Sequence, residues 1–100
     1  MSSFSVYVTE DRRLCILRAL AAETSSTLNE SILQRAAEGY GHNVSRDVIK
    51  QDLRWLSEVG AIALREVQTY LIATLSDRGL DHVERRTAID GIARPKPGVL

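Results

Sequence analysis

The chain changes its hydrophobic rhythm at Gly60. Before that glycine, apolar residues recur at intervals of three and four. After it they gather in two short runs, Ala61-Ile62-Ala63-Leu64 and Tyr70-Leu71-Ile72-Ala73-Thr74-Leu75, with the polar stretch Arg65-Glu66-Val67-Gln68-Thr69 between them. Spacing of three and four lines one face of a helix, whereas short runs with β-branched and aromatic residues suit strands. A helical first part must therefore bury its stripe against a hairpin. No Asn-Gly or Asp-Gly fixes the turn, which leaves the loop length open by a residue or two.

The helices have local start and stop signals. Thr9, Glu10 and Asp11 supply a cap and early negative charge for a first helix running to Ala22, with Leu14, Leu17 and Ala21 inward and Arg12, Arg13 and Arg18 as a basic rim. Thr27 with Glu30 matches the reciprocal capping box and predicts a short second helix, its stripe Leu28, Ile32, Leu33 and Ala36, stopped by Gly39 and Gly41. Ser45 caps a third helix that turns Ile49, Leu53 and Leu56 inward and ends at Gly60. Ser76 caps a fourth, from Asp77 to about Arg86, before Gly91, Pro95, Pro97 and Gly98 oppose regular structure. The expectation is one domain over residues 1–86, mainly α with a small β-hairpin (α+β), followed by a flexible tail over residues 87–100.

Composition narrows the function. One hundred residues, 44% of them hydrophobic, close one core rather than two. Thirteen basic and thirteen acidic residues cancel, so whole-protein charge announces no nucleic-acid partner, and 5% aromatic residues cannot build a platform for stacked single-stranded bases. Cys15 is the lone cysteine and can form no internal disulfide; with His42 and His82 it shows no metal-ligand spacing, so neither metal nor cofactor is expected. The serines lack a nucleophile elbow and no glycine-rich loop opens a helix, so no enzyme is expected. No apolar stretch approaches the roughly twenty residues of a membrane span, and Met1 to Val8 lacks the basic start and apolar middle of a secretion signal. A cytoplasmic protein without membrane contact is expected.

Three helices, a hairpin and a fourth helix follow the winged helix-turn-helix order, in which helices two and three form the turn unit and the hairpin the wing. The segment Val44-Ser45-Arg46-Asp47-Val48-Ile49-Lys50-Gln51-Asp52-Leu53-Arg54-Trp55-Leu56-Ser57-Glu58-Val59-Gly60-Ala61-Ile62 resembles the recognition-helix segment of DeoR-type repressors. Leu75-Ser76-Asp77-Arg78-Gly79 is similar to the Leu-Ser/Thr-x-x-Gly junction of MarR- and ArsR-like winged helices. From Glu10-Asp11-Arg12-Arg13-Leu14 through Gly41-His42-Asn43-Val44-Ser45 to Gly91-Ile92-Ala93-Arg94-Pro95, the chain also resembles a family of small proteins of Mu-like bacteriophages and prophages. These resemblances imply a winged-helix domain in a phage gene block. The ArsR-like metal ligands are missing, so metal sensing is not implied.

With Ile49, Leu53 and Leu56 buried, Ser45, Arg46, Lys50, Gln51 and Arg54 lie on or beside the free face of helix three. Arginine and lysine can bond guanine edges or neutralise phosphates, glutamine can pair with adenine, and a serine at a helix N-terminus can grip a phosphate. Arg65, Gln68 and Thr69 at the wing could touch the DNA backbone or minor groove. From Ser45 to Leu56 three basic residues stand against two acidic ones, a thin electrostatic footprint. Asp52 is expected to pair within the fold, and Trp55 and Cys15 to pack. The expected function is sequence-specific binding of double-stranded DNA in transcription regulation, by a homodimer joined through helix one or four. The rival is a winged-helix module for protein contact in phage assembly or DNA packaging, and a third reading is an inhibitor of a host protein, so a phage or host protein partner is the alternative to DNA.

Overall fold

A computed structural model describes residues 3–97. Its elements are α1 (Ser3–Ala22), β1 (Thr27–Asn29), α2 (Glu30–Gly39), α3 (Arg46–Glu58), β2 (Ile62–Val67), β3 (Tyr70–Leu75) and α4 (Asp77–Val83). Among the described residues the fold is thus α+β, with four helices and one antiparallel sheet in the order β1-β3-β2. None of these helices is long and apolar enough to cross a membrane.

The α3 and α4 starts and the hairpin form where local signals put them. Ser45 accepts from the Val48 amide and Ser76 from the Gly79 amide, each satisfying an amide the helix cannot. β2 and β3 run in register from Ile62 opposite Leu75 to Val67 opposite Tyr70, so only Gln68 and Thr69 make the turn. Gln68 takes the left-handed conformation there, with φ of 57°, a position glycine or asparagine ordinarily fills. The Ser76 hydroxyl also donates to the Gly60 carbonyl at 2.6 Å, and the Ser76 amide to the Ala61 carbonyl at 3.1 Å. α4 therefore starts against β2, and a Cβ on Gly79 would collide with the Ala61 carbonyl. That contact accounts for a glycine inside so short a helix.

Other boundaries differ from the sequence expectation. α1 begins six residues before Thr9, because residues 3–8 contain neither glycine nor proline to interrupt a ladder extending from the packed turns. Thr27 is not a helix cap. Thr27-Leu28-Asn29 pairs with Thr74-Ala73-Ile72 as a third strand, because β3 would otherwise present an unpaired edge, and the Thr27 and Thr74 hydroxyls meet at 3.0 Å. Asn29 becomes the α2 cap, its side-chain oxygen accepting from the Ile32 amide at 2.9 Å. α4 ends at Val83, short of Arg86, as Arg85 turns left-handed.

Residues 87–97, read from the sequence as a tail, pack against the domain through two buried isoleucines; residues 98–100 lie outside the described part. Ile89 and Ile92 are buried in the main core with Leu14, Leu17, Leu20, Leu33, Ile49, Leu53, Leu56 and Leu71. His82, fully buried, explains how the polar backbone follows them in. Its Nδ1 accepts from the Ile89 amide at 3.0 Å and its Nε2 donates to the Ala93 carbonyl at 2.9 Å. The Ala93 amide donates to the Glu10 carbonyl, joining this segment to α1.

The core also contains an ion pair. Asp52 of α3 is 3% exposed and Arg12 of α1 8%, and the guanidinium meets the carboxylate through Nε and, at 3.1 Å, through Nη2. Beside it Arg13 lies over the Trp55 ring at 3.8 Å from its centroid and donates to the Gly91 carbonyl at 2.9 Å. Asp52 is thereby paired within the fold.

Two substitutions test these contacts by urea unfolding. Asp52→Asn leaves the Arg12 charge without its partner and should cost about 3–5 kcal/mol; a loss below about 1 kcal/mol would show that water or another acid replaces it. Gly79→Ala should cost about 1–3 kcal/mol by pressing on Ala61, and an unchanged midpoint would refute the close approach.

Candidate functional site

α2 leaves the sheet at Glu30, where continued pairing would bring that residue opposite Leu71. The side chain replaces the lost strand backbone. Glu30 is 2% exposed, and its Oε1 accepts from the Leu71 amide at 2.6 Å. Its other oxygen draws in two cations from α3: Arg46 Nη1 at 3.4 Å and Lys50 Nζ at 3.6 Å. A carboxylate in this setting needs such partners, since unpaired burial of its charge would be costly.

Both cations are further held. Arg46 Nε donates to Gln34 Oε1 at 2.7 Å, and Gln34 itself donates to the Val44 carbonyl, tying α2 to the α2–α3 loop. The Arg46 guanidinium lies 5.9 Å from the Tyr70 ring centroid, within reach of a cation–π attraction. Lys50 donates to the Thr69 carbonyl at 3.3 Å, so the hairpin turn is pinned to α3. Glu30 thus joins α2, α3 and the hairpin through one carboxylate.

The structure brings some of the expected contact residues together and separates others. Arg46, Lys50 and Thr69 converge, but Arg46 and Lys50 spend part of their charge on Glu30 and Thr69 contributes its backbone carbonyl. Ser45 uses its hydroxyl as the α3 cap while remaining exposed. Gln51 and Arg54 are exposed along α3, and Arg54 has no ion-pair partner among the described residues. Asp47 and Glu58 are exposed on the same helix and dilute its positive charge. Arg65 alternates with Ile62- and Leu64-type positions on β2, so it occupies the sheet face turned from the core, opposite Ile72. Gln68 stands exposed at the tip.

Sequence reasoning missed Glu30, Gln34 and Tyr70. The capping-box reading assigned the Glu30 side chain to the Thr27 backbone amide. The available signal was Asn29, a stronger cap than threonine, whose choice would have moved the helix start two residues and freed Glu30 from a capping role. Val67 and Tyr70, 44% and 45% exposed, add apolar surface to the hairpin tip beside these cations.

No protein-family model matches the chain. It is 43% identical over 90 residues to gp26, an uncharacterized protein of Escherichia phage Mu, a match covering 90% of this chain and 93% of the relative. It is 37% identical over 79 residues to an uncharacterized protein of Haemophilus influenzae strain Rd, covering 78% of this chain and 76% of that protein. With near-complete coverage on both sides of the phage Mu match, the chain belongs to the family of Mu-like phage proteins that includes gp26.

Proposed function

We propose that this protein is a winged helix-turn-helix domain that binds double-stranded DNA through α3 and the β2–β3 wing, as a dimeric phage transcription regulator. The order α1-β1-α2-α3-β2-β3 and the sheet order β1-β3-β2 support that architecture. The observation that carries the reading is the pinning of the wing turn to α3 by Lys50, beside an uncovered α3 surface bearing Gln51 and Arg54. A helix and hairpin locked together present one preformed surface to a groove and its flanking phosphates, without an ordering cost at binding. Exposed Phe4, Val6 and Tyr7 on the first turns of α1 favour that helix as the dimer contact, leaving α3 free.

The internal pairing also sets the strength. Glu30 offsets one of the two charges of Arg46 and Lys50, so with Arg54 about two phosphate neutralisations per subunit remain. Affinity for the best fragment of the phage's own genome should then fall with salt at a log–log slope near −2 per subunit, about twice that for a dimer. Arg54→Glu should weaken binding while leaving the unfolding midpoint almost unchanged, because Arg54 is exposed. Lys50→Glu is a poorer probe: it would face Glu30 with a second carboxylate and disturb the fold as well.

The exposed Val67 and Tyr70 favour a second reading, a wing that contacts another protein in phage assembly or DNA packaging. Absence of a genomic fragment bound above competitor DNA, or binding unaffected by both salt and Arg54→Glu, would refute the DNA reading and favour this one.

A further inference from the structure

The α2–α3 loop carries His42 back over α1. Its imidazole, 10% exposed, donates from Nε2 to Asp11 Oδ2 at 2.7 Å. The buried Cys15 thiol, one helical turn beyond Asp11, lies 3.8 Å from the same oxygen. One sulfur, one imidazole nitrogen and one carboxylate oxygen therefore gather with all three atoms within 4.8 Å of one another. Sequence spacing gave no hint of this, because His42 lies 31 positions from Asp11.

We infer that Asp11, Cys15 and His42 form a binding site for a divalent transition-metal ion of the zinc type, with a fourth position open to water. Four arguments support it. The donor set is the one such ions prefer, and it is too soft and too poor in oxygen for calcium or magnesium. Tetrahedral zinc bonds to these atoms imply ligand–ligand separations of about 3.3–3.6 Å. The imidazole would draw back from the Asp11 oxygen by roughly half an ångström, and the thiol, within 4.8 Å of the imidazole nitrogen, would close on that nitrogen by up to about an ångström. A carboxylate and a thiolate would together balance the charge of a divalent ion. Asp11, exposed, gives the ion a route in, while buried Cys15 shields the sulfur from solvent.

Binding has a proton cost that can be measured. Burial, reinforced by the Asp11 charge against the opposing pull of Arg18, pushes the Cys15 thiol up to about 11, so without metal it keeps its proton at neutral pH. The ion must displace that proton into solvent as the sulfur–metal bond forms, and it must replace the His42–Asp11 hydrogen bond. Bound there, it would fasten the loop that precedes α3 to α1. In its absence Asp11 accepts from both neighbours, and the cluster is a hydrogen-bonded clasp.

The test uses the full chain freed of metal and titrated at neutral pH with cobalt(II), then zinc(II). The expected result is a thiolate-to-cobalt charge-transfer band that saturates at one ion per chain and is lost as zinc displaces cobalt. Release of the thiol proton and a higher melting temperature should accompany zinc binding. Cys15→Ser should abolish the band, and His42→Ala should weaken zinc binding by about tenfold or more. Melting each variant without metal separates lost folding from lost binding. If Cys15→Ser does not fold, Asp11→Asn, at an exposed position, retains the thiol and should weaken zinc binding in the same way. Absence of the band in the wild-type protein, or equal stabilisation by zinc in wild type and in the folded ligand variants, overturns the proposal and leaves the clasp.

Discussion

A carboxylate in an apolar interior must have partners, and among the described residues two side-chain carboxylates are buried, those of Glu30 and Asp52. Both are answered by cations that fix α3: Arg46 and Lys50 of α3 reach Glu30, while Asp52 of α3 is met by Arg12 of α1. The helix is thus keyed on two sides. Turning it by one residue would break both sets of pairs and leave charges stranded, at a cost far above that of misplacing an alkyl side chain. Ile49, Leu53 and Leu56 supply the burial; the ion pairs select its orientation. The surface α3 leaves uncovered follows from that selection.

The elements legible in the sequence are those whose signals are local. Ser45 and Ser76 mark caps, the Ile49-Leu53-Leu56 stripe sets the buried face of α3, and the two apolar runs after Gly60 give the hairpin. β1 was illegible because three residues have no periodicity of their own and become a strand only when β3 offers its edge. Residues 87–97 read as a tail because their prolines and glycine exclude helix and strand. Burial requires neither, and His82 supplies the hydrogen bonds that regular structure would have given.

The candidate contact surface was legible in its residue types but not in their bookkeeping. Counting Arg46, Lys50 and Arg54 as equivalent positive charges ignores that the first two answer Glu30, which lies 16 positions before Arg46. Of these three, Arg54 alone has no ion-pair partner among the described residues. Pairing across such separations depends on how α2 docks, which composition along one helix cannot reveal. The same holds for Asp11 and His42, drawn together by the loop's return over α1.

The packing of residues 87–97 also orders events in time. Ile89 and Ile92 complete a core that begins with Leu14, and the Ala93 amide closes onto the Glu10 carbonyl across most of the chain. Contacts this distant in sequence exact their loop-closure entropy before they return any stabilisation. During translation, α1 to α4 can emerge and collapse, yet the apolar surface destined for those isoleucines stays open until the segment carrying them clears the ribosome. A nascent chain of this kind is most exposed to aggregation in that late interval, and its solubility depends on how quickly the last packed segment is delivered.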